Sequence, residues 1–339
     1  MKPSNVIVAL VALSLSACTS ELASTPATDT ADIVAAERLS EFASASFLVS
    51  EGDTLFLAND SALYALPKSG GAVQPLAELP RGKVAGITAD AERVFVLEHV
   101  GVDSYAVLAV PRAGGEVTTL SSNRAEGWTG SPANMPIAIH DGTLFWGECG
   151  AAFSATGYVR ALSLTSAGAT PQVVARAWCP KSLGFDGSYV YFTSVASKVR
   201  RAPLAGGPVE DVFPQADELL VAGEYIFFAH NSATPERNGT FRRRLDAPLG
   251  TDGAHEKIST SAFPMLGVHD GALVTTNNTQ FEIVDPANGP HPYRWRKLWI
   301  ENHASIRASA MDDDSVYWVS QEDSATGRAK GVYRQRFAD

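Results

Sequence analysis

The 339-residue chain is poor in cysteine, with three in all, and has no paired C-x-x-C. That leaves no obvious thiolate cage for zinc or an iron–sulfur cluster. It also lacks a G-x-S-x-G elbow, an H-E-x-x-H pair and a glycine-rich phosphate loop, so the local signatures of several large enzyme classes are missing. No metal or cofactor is expected. Positive charge is scarce too, with 27 Lys and Arg against 37 Asp and Glu and a net charge of −10. A field of that sign opposes nucleic acid and anionic lipid as partners. The apolar stretch from Val6 to Leu15 is about half the ~20 residues that a membrane-crossing helix needs, and nothing later is long enough either.

What recurs instead is a short aromatic, β-branched run behind a tight acidic or glycine turn. The copies lie at 55–59, 94–98, 144–148, 190–194, 226–230, 273–277 and 316–320. They read LFLAN, VFVLE, LFWGE, VYFTS, IFFAH, LVTTN and VYWVS, and their starts are spaced 36 to 50 residues apart. This is the period of one four-stranded propeller blade. Residues 181–213 parse most simply: an inner strand at 182–185, a turn at 186–188, VYFTS as a half-buried second strand, a third strand at 199–204, a turn at Ala205-Gly206-Gly207 and an outer strand at 209–213. The expected fold is all-β, a seven-bladed β-propeller of four-stranded antiparallel blades. Residues 332–336 read as a third strand with no fourth after it. A spare outer strand exists at the other end, where Ile33-Val34-Ala35 resembles Val173-Val174-Ala175 and precedes an inner strand at 43–49. An N-terminal strand is therefore expected to complete the last blade and remove an exposed edge.

The first residues read as a targeting segment, with Lys2 ahead of the apolar run. Leu15-Ser16-Ala17-Cys18 resembles a bacterial lipobox, in which cleavage leaves Cys18 N-terminal with a lipidated sulfur. The resemblance implies a signal peptide at 1–17, a membrane anchor through lipid alone and, from Thr19, an outer-membrane address in the cell envelope. Residues 18–31 are rich in Ser, Thr, Ala and Pro and read as a disordered tether, leaving 32–339 for the propeller. VYFTS and VYWVS, with VRRAPLAGG after the former, resemble the YWTD-type β-propeller repeat and the propeller lipoproteins found in bacteria with large genomes. That motif is structural and implies no catalytic residue.

Topology places Cys149 and Cys179 on one rim in adjacent blades. With Cys18 lipidated, the remaining pair suggests a disulfide, the alternative being two buried thiols. Insertions concentrate in the connections after second and fourth strands, which emerge on one face. Binding sites commonly sit on such variable loops above a rigid frame. The second strands end there with Glu98, His99, Glu148, His230, Asn231, Asn277, Gln321 and Glu322, a ring suited to a polar ligand or equally to a hydrated rim. Trp128 is either a stacking platform or a lid anchor. His140 and His269, each before Asp-Gly, are expected to cap or face solvent. The arginines of third strands are expected to pair with acids or stay solvated, the alternative being a recognition patch. Two functional classes follow. One is a monomeric binding or assembly module holding an envelope protein or glycan. The other is a lyase or lactone hydrolase using His99 or His230 beside Glu98 or Glu148.

Overall fold

The computed structural model describes residues 36–79, 82–100, 104–124, 135–149, 157–194, 198–249, 254–277, 280–285, 295–298, 305–321 and 329–337. Cys18, Trp128 and Glu322 lie outside these residues, as do the expected signal peptide and tether. Within the compact unit Val34–Asp339 the described residues form seven four-stranded antiparallel sheets and no helix. Blades 1 to 6 are meanders spanning 47–78, 83–124, 137–177, 180–213, 218–259 and 265–298. Blade 7 takes three strands from Ser305–Met311, Ser315–Gln321 and Gly331–Arg336, and its fourth from Glu37–Ser40. The chain is a seven-bladed β-propeller closed by its N-terminal segment.

The apolar triplet at 33–35 lies outside the described residues, and the described closing strand is Glu37–Ser40. It reads Glu-Arg-Leu-Ser, and its register is Glu37↔Arg334, Arg38↔Tyr333 and Ser40↔Val332. Leu39 is its one buried side chain, packed with Leu55, Leu57 and Val332 between blades 7 and 1. Polar contacts supply the rest: Arg334 binds the Glu37 carboxylate, and the Arg38 guanidinium donates to the Lys330 carbonyl at 2.6 Å. A strand on the outer edge of a blade needs little apolar content, because only one of its faces is covered.

Second strands are built differently from the half-buried pattern expected of them. Leu55, Phe56, Leu57 and Ala58 are all fully buried, as are Val94, Phe95, Val96 and Leu97. Successive residues point to opposite faces of a strand, and here each face meets a neighbouring blade. Phe56 and Ala58 pack on Val94 and Val96 of blade 2, while Leu55 and Leu57 pack on Tyr317 and Val319 of blade 7. Burial on both sides is why these segments read as continuous apolar runs. One apolar cluster fills each of the seven interfaces. First strands come so close around the axis that a Cβ at Gly184 would lie 2.6 Å from the Val221 side chain of the next blade.

Candidate functional site

The two faces of the ring follow from strand direction. Each first strand starts on the face that carries the long connections and ends at a tight hairpin on the other. Blades 3 and 6 turn through Asp141-Gly142 and Asp270-Gly271, with φ of 45° and 67° in one and 47° and 77° in the other. Both residues of such a pair are left-handed, the geometry that two-residue hairpins require. Blades 2, 4 and 7 instead close on an aspartate. Asp186 accepts from the amides of Ser188 and Tyr189, both at 2.7 Å, and from the Tyr191 hydroxyl at 2.7 Å. Asp312 accepts from the amides of Asp314 and Ser315, from Tyr317 at 3.0 Å and from Lys68 of blade 1 at 2.5 Å. Burial pushes the Asp312 carboxyl up, but the Lys68 ammonium, the Asp314 amide and the Tyr317 hydroxyl hold it below the usual carboxylate range. Burial, with the neighbouring carboxylate, pushes Tyr317 up to about 12.

His140 and His269 flank these hairpins, each imidazole 3.5 Å from the carboxylate of the adjacent Asp141 or Asp270. They stack on aromatic rings of the next blade, His140 on Phe185 at 4.9 Å and His269 on Phe337 at 3.9 Å. Several third-strand arginines pair with acids, Arg200 with Asp211 at 2.9 Å, Arg201 with Glu210 at 2.8 Å and Arg242 with Glu256 at 2.8 Å, whereas Arg243 donates to the Ala247 and Pro248 carbonyls.

On the opposite face the candidate residues divide into separate groups. Glu98 is fully buried and accepts from the Gly82 amide at 2.7 Å, tying the lead-in of its own blade's first strand to the end of the second. Glu148, nearly as buried, accepts from the Trp146 indole at 3.0 Å and forms an ion pair with Arg160 at 2.6 Å. His99 meets the Tyr105 ring edge-on at 5.4 Å. Tyr105 lies close enough to Glu148 to feel its charge, and burial, with that charge, pushes its hydroxyl up to about 12. Blades 2 and 3 thus bring His99 and Glu148 into one region through Tyr105, a residue the sequence had not singled out.

His230 and Asn231 share another carboxylate, Asp217, which meets the imidazole at 3.2 Å and accepts from the Asn231 amide at 2.9 Å. The neighbouring Glu218 sits at the start of the first strand of blade 5. Burial pushes its carboxyl up to about 7, against a hydrogen bond from the Met265 amide. Asn277 uses its side-chain oxygen to accept from the Gln280 amide at 2.8 Å. Gln321 lines a separate cavity of about 610 Å³ beside the closing strand, with Phe42 and Lys330.

Cys149 and Cys179 are joined by a disulfide between blades 3 and 4, with Cα atoms 4.2 Å apart. Cys179 has a φ of 47°, unusual for a residue with a side chain. Gly157 passes directly beneath: a Cβ there would lie 2.5 Å from both the Glu148 and Ala177 carbonyl oxygens and 2.8 Å from the Cys179 amide. The bridge pins the loop entry after Glu148. It also fixes the backbone beside Trp178, which is 43% exposed.

A cavity of about 460 Å³ occupies the long-loop end of the central channel. First strands of five blades line it, with Phe47, Ile87 and Ile137 among them, and Pro264, Thr276 and Asn277 of blade 6 complete the wall. The volume is that of a small-molecule site, and the open lining mixes apolar side chains with polar groups such as Thr276, Asn277 and Ser309. No cluster of His, Cys, Asp or Glu among the described residues is arranged to hold a metal ion.

No family model matches the chain, and no curated protein does. Solved structures do match it in fold. BamB from Moraxella catarrhalis is 12% identical with a TM-score of 0.55, over 86% of this chain and 84% of that one. A structure described as YCF48 bound to D1 peptide is 11% identical with a TM-score of 0.61, over 93% of this chain and 100% of that one. PorZ, described as an essential bacterial surface component of the type-IX secretion system of Porphyromonas gingivalis, is 11% identical with a TM-score of 0.57, over 90% of this chain and 39% of that one. Likeness at these identities defines the β-propeller fold.

Proposed function

We propose that this chain is a lipid-anchored propeller of the bacterial envelope that holds a protein or glycan partner on its long-loop face. The observation that carries the reading is the difference between the faces. One is closed by tight hairpins, three of them capped by the carboxylates of Asp90, Asp186 and Asp312. The other opens into the channel cavity and carries the disulfide-pinned rim, with His230, Asn231, Asn277 and Gln321 around it. PorZ, by its description, belongs to the bacterial surface, and YCF48 holds a peptide; both share this fold and support a recognition role. The anchor rests on the lipobox-like Leu15-Ser16-Ala17-Cys18. The acid–base reading draws less support, because Glu98 and Glu148 hold an amide, an indole and a guanidinium of the frame.

Two measurements test this. Cys18→Ala should abolish labelling by a palmitate analogue and release the chain from the membrane fraction; retained labelling would refute the anchor. Photo-crosslinking residues placed at Asn231, Asn277 and Gln321 should capture envelope material that residues placed at Asp53 and Glu224, on the tight-turn face, do not. Equal capture from both faces would refute the assignment.

A further inference from the structure

We infer that the channel cavity is an anion site, in which Lys181 and Arg307 grip the carboxylate of an organic acid. This rests on the reading of the long-loop face as the binding face, and names what its central cavity takes. Three observations lead there.

The first is register. Lys181 is the extra residue of a β-bulge, lying between the pairs Pro180↔Ser194 and Ser182↔Thr193. Arg307 occupies the same place in blade 7, between Ile306↔Ser320 and Ala308↔Val319. A bulge takes a residue out of the ladder and re-aims its side chain. Both side chains line the one cavity, from blades on opposite sides of the ring.

The second is partnership. Arg160, Arg200, Arg201, Arg242, Arg244 and Arg334 each hold a carboxylate. Among the described residues Lys181 and Arg307 have no hydrogen-bond or ion-pair partner, and both are exposed. The third is the lining itself. In a chain of net charge −10, no described carboxylate lines this cavity. Two cations facing one open, concave cavity without a described carboxylate concentrate positive potential there, and a guanidinium fork matches a carboxylate in two-point geometry. Phe47, Ile87 and Ile137 in the same wall offer contact to a short apolar body behind the charged head.

Such a carboxylate belongs either to a free short-chain acid or to the terminus of a polypeptide. Calorimetry on the full-length chain in detergent, with hexanoate and with the tripeptide Ala-Leu-Leu as probes, separates these sources. Binding of hexanoate should exceed that of hexanamide at least tenfold. Lys181→Gln and Arg307→Gln should each weaken it roughly tenfold, while Arg307→Lys keeps part of it. Lys83→Gln, an exposed cation on the same face outside the cavity, should leave it unchanged. Ala-Leu-Leu binding that is lost on amidating its C-terminus assigns the polypeptide source; hexanoate binding alone assigns the free acid. Equal affinity for hexanoate and hexanamide, unchanged affinity in the double variant with its melting temperature intact, or no binding of either probe would overturn the inference. Long-loop crosslinks that persist without anion binding refute this site alone. Anion binding without face-selective crosslinks refutes the docking role and leaves the site standing.

Discussion

On the tight-turn face, charge is bound into the frame. Asp186 and Asp312 each cap two amides and a tyrosine, Lys68 reaches from blade 1 to blade 7, and His140 and His269 lie flat on the next blade. On the long-loop face the frame is held by a covalent bridge and by buried Glu98 and Glu148, and Lys181 and Arg307 are left over. The contrast teaches how a ring of similar blades acquires a working side. Carboxylates such as Asp186 and Asp312 are engaged in closing their own turns, whereas bulges in the first strands of blades 4 and 7 leave Lys181 and Arg307 without a partner among the described residues.

The largest test of that contrast removes the bridge. Cys149→Ala with Cys179→Ala reopens a loop of sequence separation 30, for which chain entropy predicts a loss of roughly 3–4 kcal/mol. Denaturant unfolding should register it, and long-loop crosslinks should weaken while the tight-turn hairpins stay protected from hydrogen exchange. Next, Asp312→Ala breaks caps and an ion pair on the other face, at a cost of about 2–3 kcal/mol. Its carboxyl titrates below the unfolded value, so the stability it contributes is present above about pH 4 and lost as pH falls further. Wild type and variant should therefore converge in melting temperature toward pH 2, with probe binding at neutral pH unaltered.

Glu218→Gln tests the start of the first strand of blade 5, outside the channel cavity. Its pKa of about 7 lies above the usual carboxylate value, so the folded state holds the proton more tightly and loses stability as pH rises from about 4.5 to 7. The substitution should leave melting unchanged at pH 4 and raise stability at pH 8 by about 1 kcal/mol, less than full burial would give because the carboxyl keeps some contact with water. Smallest of all is Asp53→Ala. That carboxylate is exposed, 3.6 Å from Arg112, and its removal should not move the melting curve. A clear shift would show that rim charges also hold the tight-turn face.

Blade count, ring closure and the disulfide were legible because each left a covalent or periodic trace. Seven apolar runs marked seven double-sided interfaces, and an even cysteine remainder marked the bridge. The closing strand was harder to place, since Leu39 is its single buried residue and its pairing depends on Arg334 and Glu37, which carry no periodic signal. The site was legible only as a face. Glu98 and Glu148 end second strands at the expected mouth, but Gly82, Trp146 and Arg160 engage them, and such pairings cannot be read from spacing. Lys181 and Arg307 interrupt inner strands as lone charges, a faint signal. Their aim depends on bulges, and a one-residue irregularity in register leaves no mark in composition.

The strand Glu37–Ser40 has a temporal consequence. The Arg334 that meets Glu37 lies 297 positions further along. At about 5–20 residues per second of synthesis, the first strand waits roughly 15–60 s before its mate exists. Through that interval six blades can stack while the seam between the last and the first remains unmade. The nascent protein is thus an open arc, and its native curvature becomes permanent only when the final strand arrives.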